Sequence, residues 1–309
     1  MGATTLLDIV DLVDSCPYTD VSEYYQLIAH DGSTPLGYVT EEIALLFKRH
    51  NEFDVNNSTK TIILNSDFDT LEKRDRLFEI VAESWKEIPE LDELLVKGWR
   101  NELYTVYNPH HVAYMHIERS FSVLIGVVTY GVHINGYIPA NNSKNGQLKM
   151  WIPRRSATKP TFPGMLDNTV AGGLGYPHGI WDTLVKECYE EAGLAQEFVE
   201  SHAKACGVLQ YMYKTDDNRI QPEVEYIYDI AFDNEDDIKP HPVDGEAEDF
   251  QLMEVDEILT RLYQNEFKPN CGLVIIDFLI RHGIVTPESE KYYTEILTRS
   301  HRRFPFPLM

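Results

Sequence analysis

Ala171-Gly172-Gly173-Leu174-Gly175-Tyr176-Pro177-His178-Gly179-Ile180-Trp181-Asp182-Thr183-Leu184-Val185-Lys186-Glu187-Cys188-Tyr189-Glu190-Glu191-Ala192-Gly193-Leu194 is a glycine-rich loop, an acidic helix and a glycine stop. Asp182 is an N-cap by residue type and Gly193 a C-terminal stop, which predicts a helix of about three turns between them. On a 3.6-residue period Trp181, Leu184, Val185, Cys188 and Ala192 share one side. Glu187, Glu190 and Glu191, at i, i+3 and i+4, fall on the other. Three carboxylates at that spacing repel one another unless a cation neutralises them. Mg²⁺, with Mn²⁺ as the alternative, takes oxygen ligands from a few carboxylates and from substrate phosphates, so this face is a candidate metal site. A solvated acidic helix face is the competing explanation.

The 309 residues allow one large or two modest domains, each able to bury a core. Hydrophobic residues at 43% and charged residues at 25% are ordinary globular usage, without repeats or low-complexity tracts. The net charge of −23, from 50 acids and 27 bases, argues against a polynucleotide partner, which needs clustered Lys and Arg. A small polyanion remains compatible if metal ions bridge it to the acids. Cys16, Cys188, Cys206 and Cys271 form no CxxC pair and read as buried free thiols of a reducing compartment. The N-terminus lacks a basic, apolar leader, and no run approaches the roughly 18 apolar residues of a membrane span. The expectation is a soluble, cytoplasmic chain without membrane partners.

From the start, residues 6–13 read as a helix, 24–30 and 36–39 as a hairpin, and Thr40 as the cap of a second helix. A strand at 61–64 and a helix at 71–88, with Leu77, Phe78, Val81 and Trp85 on one stripe, complete an α+β unit of about 100 residues. Its chemistry is sparse, and a structural or lid role is the plainest reading. Trp99 to Tyr104 sets an aromatic, a cation and an amide together, which suits a ring and phosphate clamp or simple packing. The junction falls at Asn108-Pro109-His110-His111, dividing the chain into 1–108 and 109–309. Adjacent histidines in an extended segment point opposite ways, so His110 and His111 make a poor metal pair.

Beyond it, residues 122–138 read as a strand buried on both faces, and 141–146 as a hairpin loop returning through 148–154. Arg154, Arg155 and Lys159 form the densest basic cluster before the tail, and Arg forks match phosphate oxygens. After the acidic helix come a helical stretch at 196–205 and strands at 208–213 and 223–232. Glu223 is preferred to Glu225 as a strand acid completing the metal set. Residues 233–249 read as a long mobile acidic loop, 250–255 as the last strand, and 257–265 and 271–282 as helices. The basic tail from Arg299 is expected to dock on acidic surface.

The opening stretch resembles the Nudix signature, G-x5-E-x7-R-E-U-x-E-E-x-G-U. Aligned on Gly172, Lys186 and Glu187 stand for R-E, Cys188 for the apolar U, Glu190 and Glu191 for E-E, and Gly193-Leu194 for the close. His178 replaces the first Glu and Lys186 the Arg, two positions that brace the loop in the family. Residues 130–137, 151–155, 163–168, 221–224 and 267–271 resemble the eukaryotic branch related to thiamine pyrophosphokinase proteins, which carries its own N-terminal domain. The resemblance implies an N-terminal α+β domain followed by a Nudix α/β/α sandwich with a mixed sheet. It implies a diphosphatase of thiamine diphosphate derivatives, above all oxo and oxy forms, releasing the monophosphate and phosphate. Glu187, Glu190, Glu191 and Glu223 would then hold the metal, one carboxylate would take a proton from water, and Arg154, Arg155, Lys159, Gly172 and Gly173 would bind the substrate. A general ADP-ribose-type hydrolase and a non-catalytic Nudix-fold binding module are the alternatives. A kinase is disfavoured because no G-x4-GK[ST] loop is present.

Overall fold

A computed structural model describes residues 5–309. Helix α1 (Leu6–Val13) opens on a capping box in which Thr5 Oγ1 accepts from the Asp8 amide (3.3 Å) and Asp8 Oδ2 from the Thr5 amide (2.9 Å). Strands β1 (Tyr25–Ile28) and β2 (Pro35–Val39) form the expected hairpin, and Thr40 caps α2 (Glu41–Phe47). Strand β3 (Phe53–Asn56), which the sequence reading passed over, pairs with β4 (Thr61–Leu64) to give a mixed sheet in the order β2-β1-β4-β3. Helix α3 (Leu71–Trp85) stops three residues short of the expected Ile88 and runs into a 3₁₀ turn at Pro89–Leu91, because a residue before proline is pushed out of the helical region. Phe47, Phe53, Phe78, Trp85 and Phe121 meet edge-on or tilted in the core of this unit.

The segment 108–111 is the turn of a hairpin between β5 (Leu103–Tyr107) and β6 (Ala113–Glu118), so paired strands lie on either side of it. Where a strand was expected from Ser122, the chain forms α4 (Arg119–Ile125). An apolar run without alternation suits a buried helix as well as a buried strand, and the ends arbitrate. The Glu118 carboxylate accepts from the Ser120 amide (3.3 Å), and Gly126, at φ +58°, provides the left-handed stop.

The second sheet takes β7 (Thr129–Ile138), β8 (Lys149–Arg155) and β9 (Val170–Gly173), then, after α5 (Ile180–Ala192) and α6 (Gln196–His202), β10 (Ala203–Lys214), β11 (Ile220–Ala231) and β12 (Ala247–Glu254). Its order is β10-β11-β7-β8-β12, with β9 also on β7; β7 and β11 run parallel and the other pairs antiparallel. Val132, Ile134 and Val170 pack under Leu184 and Cys188 of α5. On the other face Leu209, Tyr211 and Ile227 meet the helices that follow, α7 (Val255–Tyr263) and α8 (Pro269–Arg281), so the sheet lies between helical layers. The chain is thus α+β, an N-terminal mixed-sheet unit followed by a sandwich on a mixed sheet. Helix α6 ends three residues earlier than expected, with β10 taking over at Ala203.

Helix α1 buries Leu6, Ile9, Val10 and Val13 in the second core, against α8 and α9 (Tyr293–Arg299). The basic tail docks there. Asp14, fully buried, accepts from Arg302 Nη1 (2.9 Å), Arg299 Nε (3.2 Å) and Tyr18 Oη (2.7 Å). Further on, His110 Nδ1 accepts from the Leu308 amide (2.9 Å) and the His111 amide donates to the Leu308 carbonyl (2.9 Å), so both histidines hold the tail. The acidic segment 233–249 is pinned, with Glu235 accepting from Lys149 Nζ (3.0 Å) and the His241 amide donating to the Ala192 carbonyl (3.0 Å). Of the four free cysteines Cys206 is only half-buried, contrary to expectation. No helix among the described residues is long and apolar enough to cross a membrane.

Asp14→Ala strands the buried Arg302 guanidinium, so urea unfolding should show a loss of about 3–5 kcal/mol, whereas Asp8→Ala should cost about 1 kcal/mol. Equal losses would show that the tail contributes little to the fold.

Candidate active site

Helix α5 starts earlier than its sequence indicated. Gly179 is the N-cap, and Asp182 is the third helical residue, its Oδ2 accepting from the Gly179 amide (3.4 Å). Gly193 sits at φ +64° as the stop, with Leu194 N donating to the Cys188 carbonyl (3.0 Å). Trp181, expected on the buried side, is 40% exposed and meets Tyr228 edge-on.

The three helix acids take separate directions. Glu187 lies across Gly172, where a Cβ would sit 2.5 Å from its Cγ. Glu191 turns under β9 and accepts from the Ala171 amide (3.2 Å). Glu190 stays near solvent, and Lys186 Nζ stands 2.9 Å from both Glu187 Oε1 and Glu190 Oε2. Among the described residues no group of three or more His, Cys, Asp or Glu side chains is gathered closely enough to hold a metal ion. Burial pushes the Glu187 carboxyl up, and burial together with the Asp167 and Glu187 charges pushes Glu191 well above the usual carboxylate range. Lys186 is the local counter-ion of a donor set made only of carboxylate oxygens. By donor type carboxylate oxygens match Mg²⁺ or Mn²⁺, although Glu187, Glu190 and Glu191 are not gathered round one point here.

The basic cluster is engaged in structure. Arg154 Nη1 donates to the Gly164 carbonyl (2.8 Å), Lys159 pairs with Glu246, and Arg155 donates to Asp167 Oδ2 (2.5 Å) and to the Phe162 (3.2 Å) and Thr161 (3.0 Å) carbonyls. Arg155 nevertheless reaches the acid helix: with Asp167, Glu191 and Glu246 it lines a cavity of about 20 Å³. The glycine loop is covered too. A Cβ on Gly173 would overlap the Tyr104 hydroxyl, and one on Gly175 would lie 2.7 Å from Glu102, both from the N-terminal unit. The Tyr176 amide donates to the Leu103 carbonyl (2.7 Å), stitching loop to hairpin.

Glu223 belongs to a second polar cluster. Tyr211 Oη lies 2.6 Å from Glu223 and 2.9 Å from Glu225, and Glu225 faces His133 Nε2 at 3.4 Å. Burial and the Glu225 charge raise the Glu223 carboxyl; burial opposes ionisation of Glu225 as well, but the His133 imidazolium outweighs it and holds that group below its ordinary value. His133 is itself held well above an ordinary histidine, burial notwithstanding, by Glu225. Glu223 lines a cavity of about 630 Å³ together with Tyr104, Arg119, Tyr211, Lys268 and Asn270. The structure therefore groups Glu223 with Glu225 and His133, apart from the helix acids. Sequence reading did not single out Asp167, Lys268, Arg119 or His133, whereas Tyr104 lies in the stretch 99–104 read as suiting a ring and phosphate clamp. His133, Asp167 and Lys268 lie in stretches already singled out, 130–137, 163–168 and 267–271; Arg119 arrives from another unit and carries no spacing signal.

The family described as NUDIX domain matches residues 137–271, and the one described as Domain of unknown function (DUF4743) matches residues 10–129. YJR142W, an uncharacterized protein of Saccharomyces cerevisiae, is 41% identical over 328 residues, 99% of this chain and 93% of that one. The chain carries a Nudix domain behind a DUF4743 domain. Two Arabidopsis thaliana relatives, Nudix hydrolase 20, chloroplastic, and Nudix hydrolase 24, chloroplastic, are each 41% identical, over 65% and 64% of this chain. The chain spans about half of their length, 52% and 53%. The chain is a homologue of Nudix hydrolases, pyrophosphohydrolases that act on small diphosphate substrates and typically depend on divalent metals.

Gly173→Ala forces Tyr104 aside and should lower Tm by the equivalent of about 1–3 kcal/mol. Tyr104→Phe removes the clashing hydroxyl, leaving the ring carbon at 3.2 Å, so the double variant should recover most of the loss. Additive losses in a double-mutant cycle would refute the contact.

Proposed function

We propose that this chain is a metal-dependent diphosphatase that hydrolyses thiamine diphosphate derivatives, with oxo and oxy forms foremost, to the monophosphate and phosphate. The observation that carries the reading is convergence. Stretches 151–155, 163–168, 221–224 and 267–271, which resemble the thiamine pyrophosphokinase-related branch, meet around the acid helix and the 630 Å³ cavity: Leu166 bridges to Arg154 and to Phe267, Arg155 pairs with Asp167, and Glu223 and Lys268 line the cavity.

Glu187, Glu190 and Glu191 are the proposed ligands of a divalent metal, which when bound supplies charge to polarise the diphosphate and to lower the pKa of water. The chain's own part is binding and proton handling. Tyr104, Tyr211 and Tyr213 line the cavity with aromatic surface for a ring, and a helix carboxylate takes the proton of the attacking water. Arg155 steadies Asp167 beside Glu191. Divalent metal with a panel of thiamine diphosphate, its oxo and oxy forms, ADP-ribose and nucleoside diphosphates tests the reading. Wild type should release phosphate fastest from the thiamine compounds, and Glu191→Gln should lower kcat by about 10²-fold or more. Faster turnover of ADP-ribose would favour the general hydrolase, and equal rates in both proteins would remove Glu191 from the chemistry.

Glu191 also predicts a pH effect. Its carboxyl is raised in the folded protein, so it favours folding below the unfolded value of about 4.3, and that contribution is lost as pH rises through the folded value. At pH 7.5 without metal, Glu191→Gln should therefore melt higher than wild type, on the order of 2 °C. Mg²⁺ should raise the Tm of wild type more than that of the variant. A metal-free variant that melts lower would contradict the burial cost.

A further inference from the structure

We propose that Lys268 is a substrate-binding residue, the anchor for the phosphate nearest the organic group of a diphosphate ester. The inference rests on the diphosphatase reading and adds a residue that binds the substrate. The Lys268 amide donates to the Leu166 carbonyl (2.9 Å), which sets the residue beside the Leu166–Asp167 segment just before α8. Its half-buried side chain lines the 630 Å³ cavity, opposite Tyr104 and Arg119 of the N-terminal unit.

The neighbouring acceptors are committed elsewhere. Asp167 takes Arg155 Nη1 at 2.5 Å and Cys271 Sγ at 2.6 Å, Glu223 takes Tyr211 Oη at 2.6 Å, and Asn270 Oδ1 takes the Cys271 amide at 3.0 Å. Across the cavity Arg119 is paired with Glu102 at 2.9 Å. No ion pair or hydrogen bond to the Lys268 ammonium is formed among the described residues. Burial opposes the Lys268 charge, but the neighbouring Cys271, Asp167 and Glu223 groups outweigh it and keep the ammonium charged, while its N–H donors remain open to an anion. Phosphate oxygens match those donors, since charge-assisted N–H to O⁻ bonds are the strong class.

Position gives the substrate its direction. Through Asp167, Lys268 adjoins the small cavity that Arg155, Glu191 and Glu246 line, while its own side chain opens on the large one. A diphosphate ester with its ring among Tyr104, Tyr211 and Tyr213 of the large cavity would set its first phosphate against Lys268. The ring class is aromatic, and both domains read it.

Isothermal titration of the full chain with methylenediphosphonate, a non-hydrolysable diphosphate, in Mg²⁺ tests this. Lys268→Gln should weaken binding about 10-fold or more, and Lys268→Arg should stay within about threefold of wild type. Mn²⁺ affinity read by electron paramagnetic resonance should be unchanged in both. Undiminished binding by Lys268→Gln, no binding by wild type, or equal losses in both variants would overturn the assignment. Failure of the thiamine panel with this pattern intact would overturn the substrate reading and leave Lys268 standing.

Discussion

The carboxylate of Asp167 is buried, and a buried carboxylate without partners costs several kcal/mol. The chain meets that constraint by bringing Arg155 from β8 and Cys271 from α8 to its two oxygens, 12 and 104 residues away, and by turning the Asn168 amide back onto it (2.8 Å). Those contacts place the segment entering β9. Leu166 bridges Arg154 on one side and Phe267 on the other, Asn168 accepts at Oδ1 from His133 Nδ1 (2.7 Å), and β9 then presents Gly172 beneath Glu187. Arg155 is thus a load on the scaffold of the site, its fork filled by Asp167 and two loop carbonyls, more than a free hand for phosphate.

A second constraint is space over the glycine loop. Gly172, Gly173 and Gly175 leave room that Glu187, Tyr104 and Glu102 occupy. The glycines answer to side-chain packing as well as to backbone freedom, and two of the three fillers come from the N-terminal unit. That unit is consequently part of the site. Tyr104 covers the loop on one side and lines the large cavity on the other, and α1 buries its apolar stripe in the C-terminal core.

The acids separate into two sets because strands alternate faces. Along β11, Glu223, Glu225 and Ile227 point to the α8 side, opposite Thr129, Gly131 and His133 of β7. Gly131 has no side chain because the Glu225 carboxylate fills the space where a Cβ would stand. Glu187 and Glu191 reach β9 from the α5 side. The sheet itself therefore parts Glu223 from the helix acids, and a residue chosen for its strand and charge comes out lining the 630 Å³ cavity.

Local signals made much of this legible. The apolar pattern of residues 6–13 marked α1, the cap Thr40 marked α2, the 3.6-residue period of Leu77, Phe78, Val81 and Trp85 marked α3, and Gly193 marked the end of α5, because each signal lies within a few residues of what it controls. The errors came where local signals are degenerate: residues 122–125 carry no period, and Asp182 is as good a third helical residue as a cap. The sequence by itself determined the Nudix domain and its acidic helix, since signature spacing and helix periodicity are local properties. Only the tertiary structure decided that Arg155 is committed to Asp167, that Tyr104 covers the glycine loop, that Glu223 faces away from Glu187 and that Lys268 is left unpaired. Which charges meet depends on what distant segments bring within about 4 Å of one another, and spacing along the chain does not contain that distance.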